Sequence, residues 1–387
     1  MNRTMTADRS VNQRGTGMGN TRGKATGANR KSTVEPGGTT MIDIARNAGV
    51  SIKTVSRVVN GESGVSESTR GKVMQVIRET GYFPHTGARS MRTQSRDCMG
   101  VNVSAPVEHV PINHLFFLQL FTEMYRIFGS RGTYVNFDLN PFAESLQGNY
   151  GRGLWEQRCG GIVVVGPLAQ DDTLIEPVHQ SGRPYLVMGR SDRVANLSCA
   201  IVDFEEAAYI STRCLLDLGH KRVALLAGMK GYYPALERQR GYLRAHEDAG
   251  ISPDPALAAS VGLDARELVN ASHRLLLDRS VTAMVDSSGA EDGSSLREGS
   301  HRAGRTLGKD VDVVSWTYTY NATVLAEAKA HVWLPVWEAT VMGLEELAKW
   351  FYGEKDGPVH VLLRPTLMET VDQKEIERPK PLFERRI

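Results

Sequence analysis

Residues 40–60 read T-M-I-D-I-A-R-N-A-G-V-S-I-K-T-V-S-R-V-V-N. Two short amphipathic stretches meet there at Gly49. Thr40 is placed to cap the first helix, with Asp43 in its first turn, where negative charge suits the helix dipole. Ile42, Ile44, Ala45 and Ala48 are its expected buried side. Ser51 caps the second helix, where Val55, Val58 and Val59 are expected to pack inward. Ser66 caps a third, with Val73, Val76 and Ile77 apolar and Gly81 at its end. Residues 40–83 thus read as a helix-turn-helix unit, and that motif reads DNA.

Working outward, residues 1–39 hold Gly, Thr, Arg and Asn with almost no large apolar side chains. They are read as a disordered tail, because they bury too little to offset ordering entropy. The tail either adds nonspecific attraction to phosphates or is an extended start. Residues 84–97 read as a hinge or linker helix weakened by Gly87. Charge divides at the same place. Residues 1–97 carry 16 Lys/Arg against 7 Asp/Glu, and residues 98–387 carry 30 against 37. A basic front on an acidic body implies an anionic partner for the front alone.

From residue 98 the pattern becomes strand-helix alternation. Strands are expected at 99–103, 134–139, 161–165, 185–188, 200–202, 222–227, 283–285 and 311–316. Helices are expected at 115–129, 204–218, 235–249, 266–278 and 335–352. This argues for an α/β class built of parallel sheets. The length suits two doubly wound lobes with a ligand cleft between them. The core is taken as 98–375, followed by a C-terminal tail, 376–387. Lobe 1 covers about 98–196 and 334–356, and lobe 2 about 197–333 and 357–375.

Four cysteines without CxxC spacing argue against a disulfide framework or a zinc site. No apolar run approaches the ~20 residues of a membrane span, and the start lacks a signal-peptide stretch. The expectation is a cytoplasmic protein that does not associate with membranes. No G-x-S-x-G elbow, Walker loop or dinucleotide glycine motif occurs, so neither an enzyme nor a cofactor is expected.

In order, these segments resemble the LacI/GalR family of bacterial transcription regulators. The resemblance covers about residues 40–375. It rests on the opening motif, V-S-E-S-T-R at 65–70, G-Y-F-P at 81–84, A-R-S-M-R at 88–92, D-L-G-H-K-R-V-A-L-L-A-G at 217–228 and R-Q-R-G-Y at 238–242. It implies a core similar in fold to periplasmic sugar-binding proteins. It also implies a homodimer on a palindromic double-stranded operator, more often a repressor than an activator, and a small sugar-like effector. The terminal segment 372–387 lacks leucine heptads, so a tail-mediated tetramer is not expected.

Site residues follow residue by residue. Ser51, Ile52, Lys53 and Thr54 begin the recognition helix. By resemblance Ile52 and Lys53 select the operator, and Arg57 makes a further base contact. Lys53 can donate to guanine, and Ile52 can touch a thymine methyl. Thr54, Ser56 and Asn60 suit phosphate oxygens. In the linker Ala88 and Arg89 keep the family pattern, and Met91 stands where a leucine wedges into the minor groove. For the effector, Arg238 is the leading candidate, joined by Phe116 or Phe117, Arg190, Trp316, Thr317 and Trp333. Two departures matter. Ser315-Trp316-Thr317 replaces the family's Gly-Phe/Tyr-Asp, and Asp286-Ser287-Ser288-Gly289 stands near the usual Asn-Asp pair. An oligosaccharide, a modified sugar, a nonstandard metabolite and loss of effector binding all remain open. A partner-protein-controlled regulator and a binding module without a DNA role are the alternatives.

Overall fold

The computed structural model describes residues 39–59, 62–82, 97–104, 114–138, 150–262, 264–289, 292–318 and 325–369. The chain divides into two compact units, Met1–His85 and Thr86–Ile387.

The first unit holds α1 (Met41–Ala48), α2 (Ile52–Val59) and α3 (Glu67–Thr80). At α1 the Thr40 side chain and the Asp43 carboxylate form a capping box, each satisfying a backbone N–H of the other. Gly49 adopts φ +66°, where a side chain would be strained, and closes α1 by donating to the Ala45 and Arg46 carbonyls. Ser51 Oγ accepts from Thr54 N at 3.1 Å and opens α2. Ile44, Ala45, Val55, Val58, Val73 and Tyr82 form the buried core. Ile42 departs from expectation and is 54% exposed. At 100° per residue it lies about 200° from Ile44, so both cannot face inward, and Met41 packs there instead.

The second unit contains two six-stranded sheets. The elements of the first are β1 (Cys98–Val103), α4 (His114–Ile127), β2 (Tyr134–Asp138), α5 (Arg152–Trp155), β3 (Gly161–Val165), α6 (Glu176–Gln180), β4 (Tyr185–Val187) and β5 (Cys199–Val202). The second follows with α7 (Phe204–Asp217), β6 (Val223–Ala227), α8 (Tyr233–Asp248), β7 (Ala258–Ser260), α9 (Ala265–Leu277), β8 (Ala283–Ser287), α10 (Ser294–Arg302), β9 (Asp312–Thr317) and β10 (Ala330–Trp333). The chain then returns through α11 (Val336–Tyr352) and β11 (His360–Leu363), and crosses once more into β12 (Thr366–Glu369). The strand orders are β11-β5-β4-β3-β1-β2 and β12-β10-β9-β8-β6-β7. Among the described strands every pairing is parallel except β10 with β12. Strands such as Gly161–Val165 and Val223–Ala227 are buried throughout, which accounts for their uninterrupted apolar text.

The lobe boundary lies later than expected. The sequence pattern puts 197–202 and 357–363 in lobe 2, yet β5 and β11 extend the first sheet. The Val187 amide donates to Ser198 O, and β11 pairs with β5 in parallel register. The chain leaves this sheet only after Val202 and Leu363, and it re-enters the first lobe after Trp333. The crossings after β5 and β11 are tied by Asp203 N donating to Leu363 O at 3.0 Å.

Candidate functional site: an interlobe cleft and the exposed start of α2

The cleft lies where the carboxyl ends of both sheets face the crossings, the usual ligand position in open α/β folds. Its cavity measures about 170 Å³. The first lobe contributes Gly166 and Pro167 after β3, and Met188, Gly189 and Arg190 after β4. A side chain at Gly189 would meet the Gly166 carbonyl at 2.9 Å, so glycine lets these two loops close together. The second lobe contributes Met229, Glu237, Arg238, Ser287, Ser288, Trp316 and Tyr318. Met229 carries φ +64°, an uncommon conformation for a side-chain-bearing residue and one that gathers at functional sites.

Glu237 and Arg238 sit just over one turn into α8, fully within the lobe. Arg238 is 4% exposed and Glu237 2%. Arg238 Nη1 donates to the Gly228 carbonyl at 3.1 Å. Its guanidinium carbon lies 5.1 Å from the Trp316 ring centroid and 5.4 Å from that of Phe204. Those two rings stack at 6.0 Å with planes 9° apart. The Arg238 Nε–H is buried and has no hydrogen-bond partner among the described residues. Burial lowers the Arg238 pKa to about 10, against the pull of Glu237. Burial also pushes Glu237 up to about 7, opposed by the nearby Arg190 charge. Arg190 Nη1 reaches Glu237 Oε1 at 3.2 Å across the lobes. Asp286, buried behind the cleft, is likewise pushed up by desolvation, opposed by its bonds to Ser288.

The remaining wall is apolar and aromatic. Phe116 meets Trp337 edge-on at 5.8 Å, and Leu334, Val336 and Ala339 extend that side. The arrangement pairs ring faces with a few directional donors and acceptors, as polyhydroxylated ligands require. Among the described residues no group of three His, Cys, Asp or Glu is placed to hold a metal. No described helix is long and apolar enough to cross a membrane.

Residues 40–85 match the family model "Bacterial regulatory proteins, lacI family", and residues 124–290 match "Periplasmic binding proteins and sugar binding domain of LacI family". The transcriptional regulator CelR of Thermobifida fusca is 30% identical over 342 residues, covering 84% of this chain and 95% of CelR. The chain belongs to the LacI family of bacterial regulatory proteins. It is a DNA-binding transcriptional regulator with a sugar-binding-type core. RafR of Escherichia coli is 32% identical over 219 residues, a match spanning 55% of this chain and 62% of RafR. Among solved structures, the CelR–cellobiose complex superimposes with TM-score 0.58 at 27% identity, covering 85% of this chain and 98% of that one. The operator-bound lac repressor dimer shares the fold, with TM-score 0.65 at 23% identity and coverage of 86% and 98%.

The LacI-family expectations for the effector meet the cleft unevenly. Phe116, Arg190, Arg238 and Trp316 line it. Phe117, Thr317 and Trp333 do not. Phe117 packs on the core instead, and Thr317 is 4% exposed at the buried end of β9. Trp333 pairs with Thr317 in the sheet, which fixes it on the strand ahead of the crossing. Trp316 itself is 3% exposed, its indole N–H donating to Ser211 Oγ at 2.9 Å. Its position makes it a holder of Arg238 rather than an open platform. Sequence reasoning misses Glu237, Trp337 and Tyr318. Glu237 directly precedes the R-x-x-G-Y motif, and that adjacency is the signal that could have found it.

In the DNA-binding unit, Ser51, Ile52 and Lys53 are exposed, while Thr54, Ser56 and Arg57 are half-buried. Ile52 is 48% exposed although apolar, which leaves a methyl-bearing surface at the start of α2. Thr54 Oγ1 bonds Ser51 Oγ at 2.9 Å, and Arg57 lies 4.0 Å from Glu62. Asn60, Ala88, Arg89 and Met91 lie outside the described residues.

Proposed function

We propose that this LacI-family regulator acts in the cytoplasm as a homodimer on a palindromic operator, and that an uncharged saccharide in the cleft changes its operator affinity. Ser51, Ile52, Lys53 and Arg57 present α2 to base edges, with Thr54, Ser56 and Asn60 on phosphates. Ala88 and Arg89 enter the minor groove with Met91 as the wedge. Repression is the sign of action.

The observation that carries the effector reading is Arg238, which lines the cleft, buried and fixed against Trp316, with an Nε–H that finds no acceptor among the described residues. Buried donors are nearly always satisfied, and a shift of the guanidinium toward the cleft it lines would let a ligand hydroxyl satisfy this one. Arg190 already has Glu237 at 3.2 Å and Asp192 at 4.0 Å, so its charge is opposed within the protein and it is not reserved for an anion. The aromatic wall at Phe116 and Trp337 suits the CH face of a pyranose. Cellobiose in the CelR complex puts β-linked disaccharides first among candidates.

For the homodimer, α4 offers an apolar stripe at helical spacing. Leu118 is 63% exposed, Phe121 48% and Tyr125 69%. A second copy covers it, and two-fold symmetry then matches two half-sites.

A thermal-shift panel of neutral mono- and disaccharides, with matched uronic acids, tests the effector. A shift with a neutral saccharide, together with an operator affinity changed by about tenfold or more, is expected. Silence across the panel with DNA binding intact favours a regulator blind to effector, a reading that the burial of Thr317 supports. Selection from random duplexes tests the operator, and no enrichment of palindromes overturns the dimeric reading.

A further inference from the structure

Cys98 opens β1, and Cys159 stands two residues before β3. The register Met99↔Gly161 brings the two stretches side by side, and Gly160 N donates to Cys98 O at 2.9 Å. The Sγ atoms lie 3.4 Å apart, and both thiols are free. A disulfide needs about 2.05 Å, so the sulfurs must approach by only about 1.4 Å.

Their surroundings differ. Cys159 is buried, and its sulfur fills a slot between two glycines. A methyl group at Gly100 would stand 3.2 Å from it, and one at Gly153 3.1 Å. Added oxygen atoms would crowd this slot, whereas a bond to Cys98 adds no atom. Cys98 is half-buried. The contact between the two sulfurs draws the Cys98 pKa down and, with burial, pushes that of Cys159 up. A partly accessible sulfur whose pKa is lowered, beside a buried thiol, is the division between an attacking and a resolving cysteine.

We propose that Cys98 and Cys159 form a peroxide-oxidisable dithiol whose disulfide clasps the first residue of β1 to the turn before β3. The Cys98 thiolate attacks one oxygen of hydrogen peroxide. An S–O bond forms, the O–O bond breaks, and the departing hydroxide takes up a proton as water. Cys159 sulfur then attacks the sulfenic sulfur, losing its proton. The S–S bond forms, the S–O bond breaks, and a second water leaves. The pair is oxidised by two electrons and the peroxide reduced by two. Transient, redox-sensing disulfides are the kind a reducing compartment tolerates. Neither cysteine lines the cleft, so the site is separate from the effector site.

The test exposes reduced full-length protein to hydrogen peroxide, alkylates remaining thiols, and reads intact mass and cross-linked peptides. Loss of two hydrogen atoms per chain, one Cys98–Cys159 cross-link and full reversal by dithiothreitol are expected. The Cys199→Ser/Cys214→Ser protein should behave the same. In Cys159→Ala, Cys98 should stop at a sulfenic acid trapped by dimedone. Oxidation should raise the thermal midpoint of the core by roughly 5 °C or more, because it closes a long loop, and Cys98→Ser should lose that rise. Cross-links through Cys199 or Cys214, links between chains, or direct passage of wild-type Cys98 to a sulfinic acid overturn the proposal. These readouts involve neither DNA nor saccharide, so they stand apart from the regulatory reading.

Discussion

Trp316 holds Arg238. The guanidinium carbon stands 5.1 Å from the indole ring centroid, and the indole N–H is fixed by Ser211 Oγ at 2.9 Å. The long, rotamer-rich arginine is thereby ordered before any ligand arrives, which reduces the entropy lost on binding. Replacing Trp316 with Leu keeps an apolar filler and removes the ring face. The expected result is an effector affinity weakened by about tenfold, near 1.4 kcal/mol, with ligand-free operator affinity unchanged. Titration calorimetry with the saccharide identified by the panel measures the first, and a gel shift the second. An unchanged effector affinity would show that Arg238 is held by Gly228 and Phe204 alone.

Glu237 makes stability depend on pH. Its pKa in the folded core is raised to about 7 by burial, above its ordinary value of 4.5. Between those two values the folded state binds a proton that the unfolded chain releases, so this contribution is complete below about pH 4.5 and is lost as pH rises through 7. The upper bound is about 3 kcal/mol. Glu237→Gln should therefore lose stability less steeply than wild type between about pH 5 and pH 7.5. Parallel denaturant melts at several pH values measure the difference, and superimposable pH profiles would contradict the assignment.

Gly241 explains the glycine of R-Q-R-G-Y. A methyl group there would overlap the Glu205 carbonyl oxygen and lie 2.8 Å from the Tyr209 amide nitrogen, so α7 and α8 touch backbone to backbone. The motif joins two roles on one helix: its arginine reaches the cleft, and its glycine three residues later lets the helix sit deep enough to bring it there. Gly241→Ala should destabilise the core by about 3 kcal/mol and weaken saccharide binding as α8 is displaced. The melting transition of the DNA-binding unit, Met1–His85, should not move. Calorimetry resolves the two transitions.

Much of this is legible in the sequence because local chemistry and burial agree. The Thr40 cap, Gly49 and the apolar positions Ile44, Val55 and Val58 lie where the text places them. So do the strands with long buried runs, such as Gly161–Val165 and Val223–Ala227. The misses have physical causes. Ala258–Ser260, Ala330–Trp333 and His360–Leu363 are three or four residues long, and small or polar side chains interrupt them. Helix Ser294–Arg302 buries one large apolar residue, Leu296, so it shows little helical periodicity. Ile42 resembles a core residue by apolar identity alone, and its angle around the helix turns it outward. The contact between Cys98 and Cys159 spans 61 positions and depends on strand register, which spacing in the chain does not encode.

Helix α2 yields the sharpest test of DNA reading. Lys53 is exposed at the start of α2, one residue after the apolar Ile52, which is 48% exposed. At this position a lysine either donates to guanine O6 and N7 or lies on a phosphate, and the two arrangements leave different signatures. If Lys53 donates to a base, Lys53→Ala should weaken the selected operator by roughly 1–3 kcal/mol, about fivefold to 150-fold, and relax preference at one base pair in each half-site. Random duplex should be affected far less. If Lys53 lies on a phosphate, the same substitution should weaken all duplexes alike and lower the salt slope by about one. Fluorescence anisotropy on operator, single-substitution operators and random duplex, each across a salt series, separates the two. The expected outcome is the first pattern. Ile52→Ala should relax preference at a neighbouring thymine-bearing pair, because alanine is too short to reach the thymine methyl.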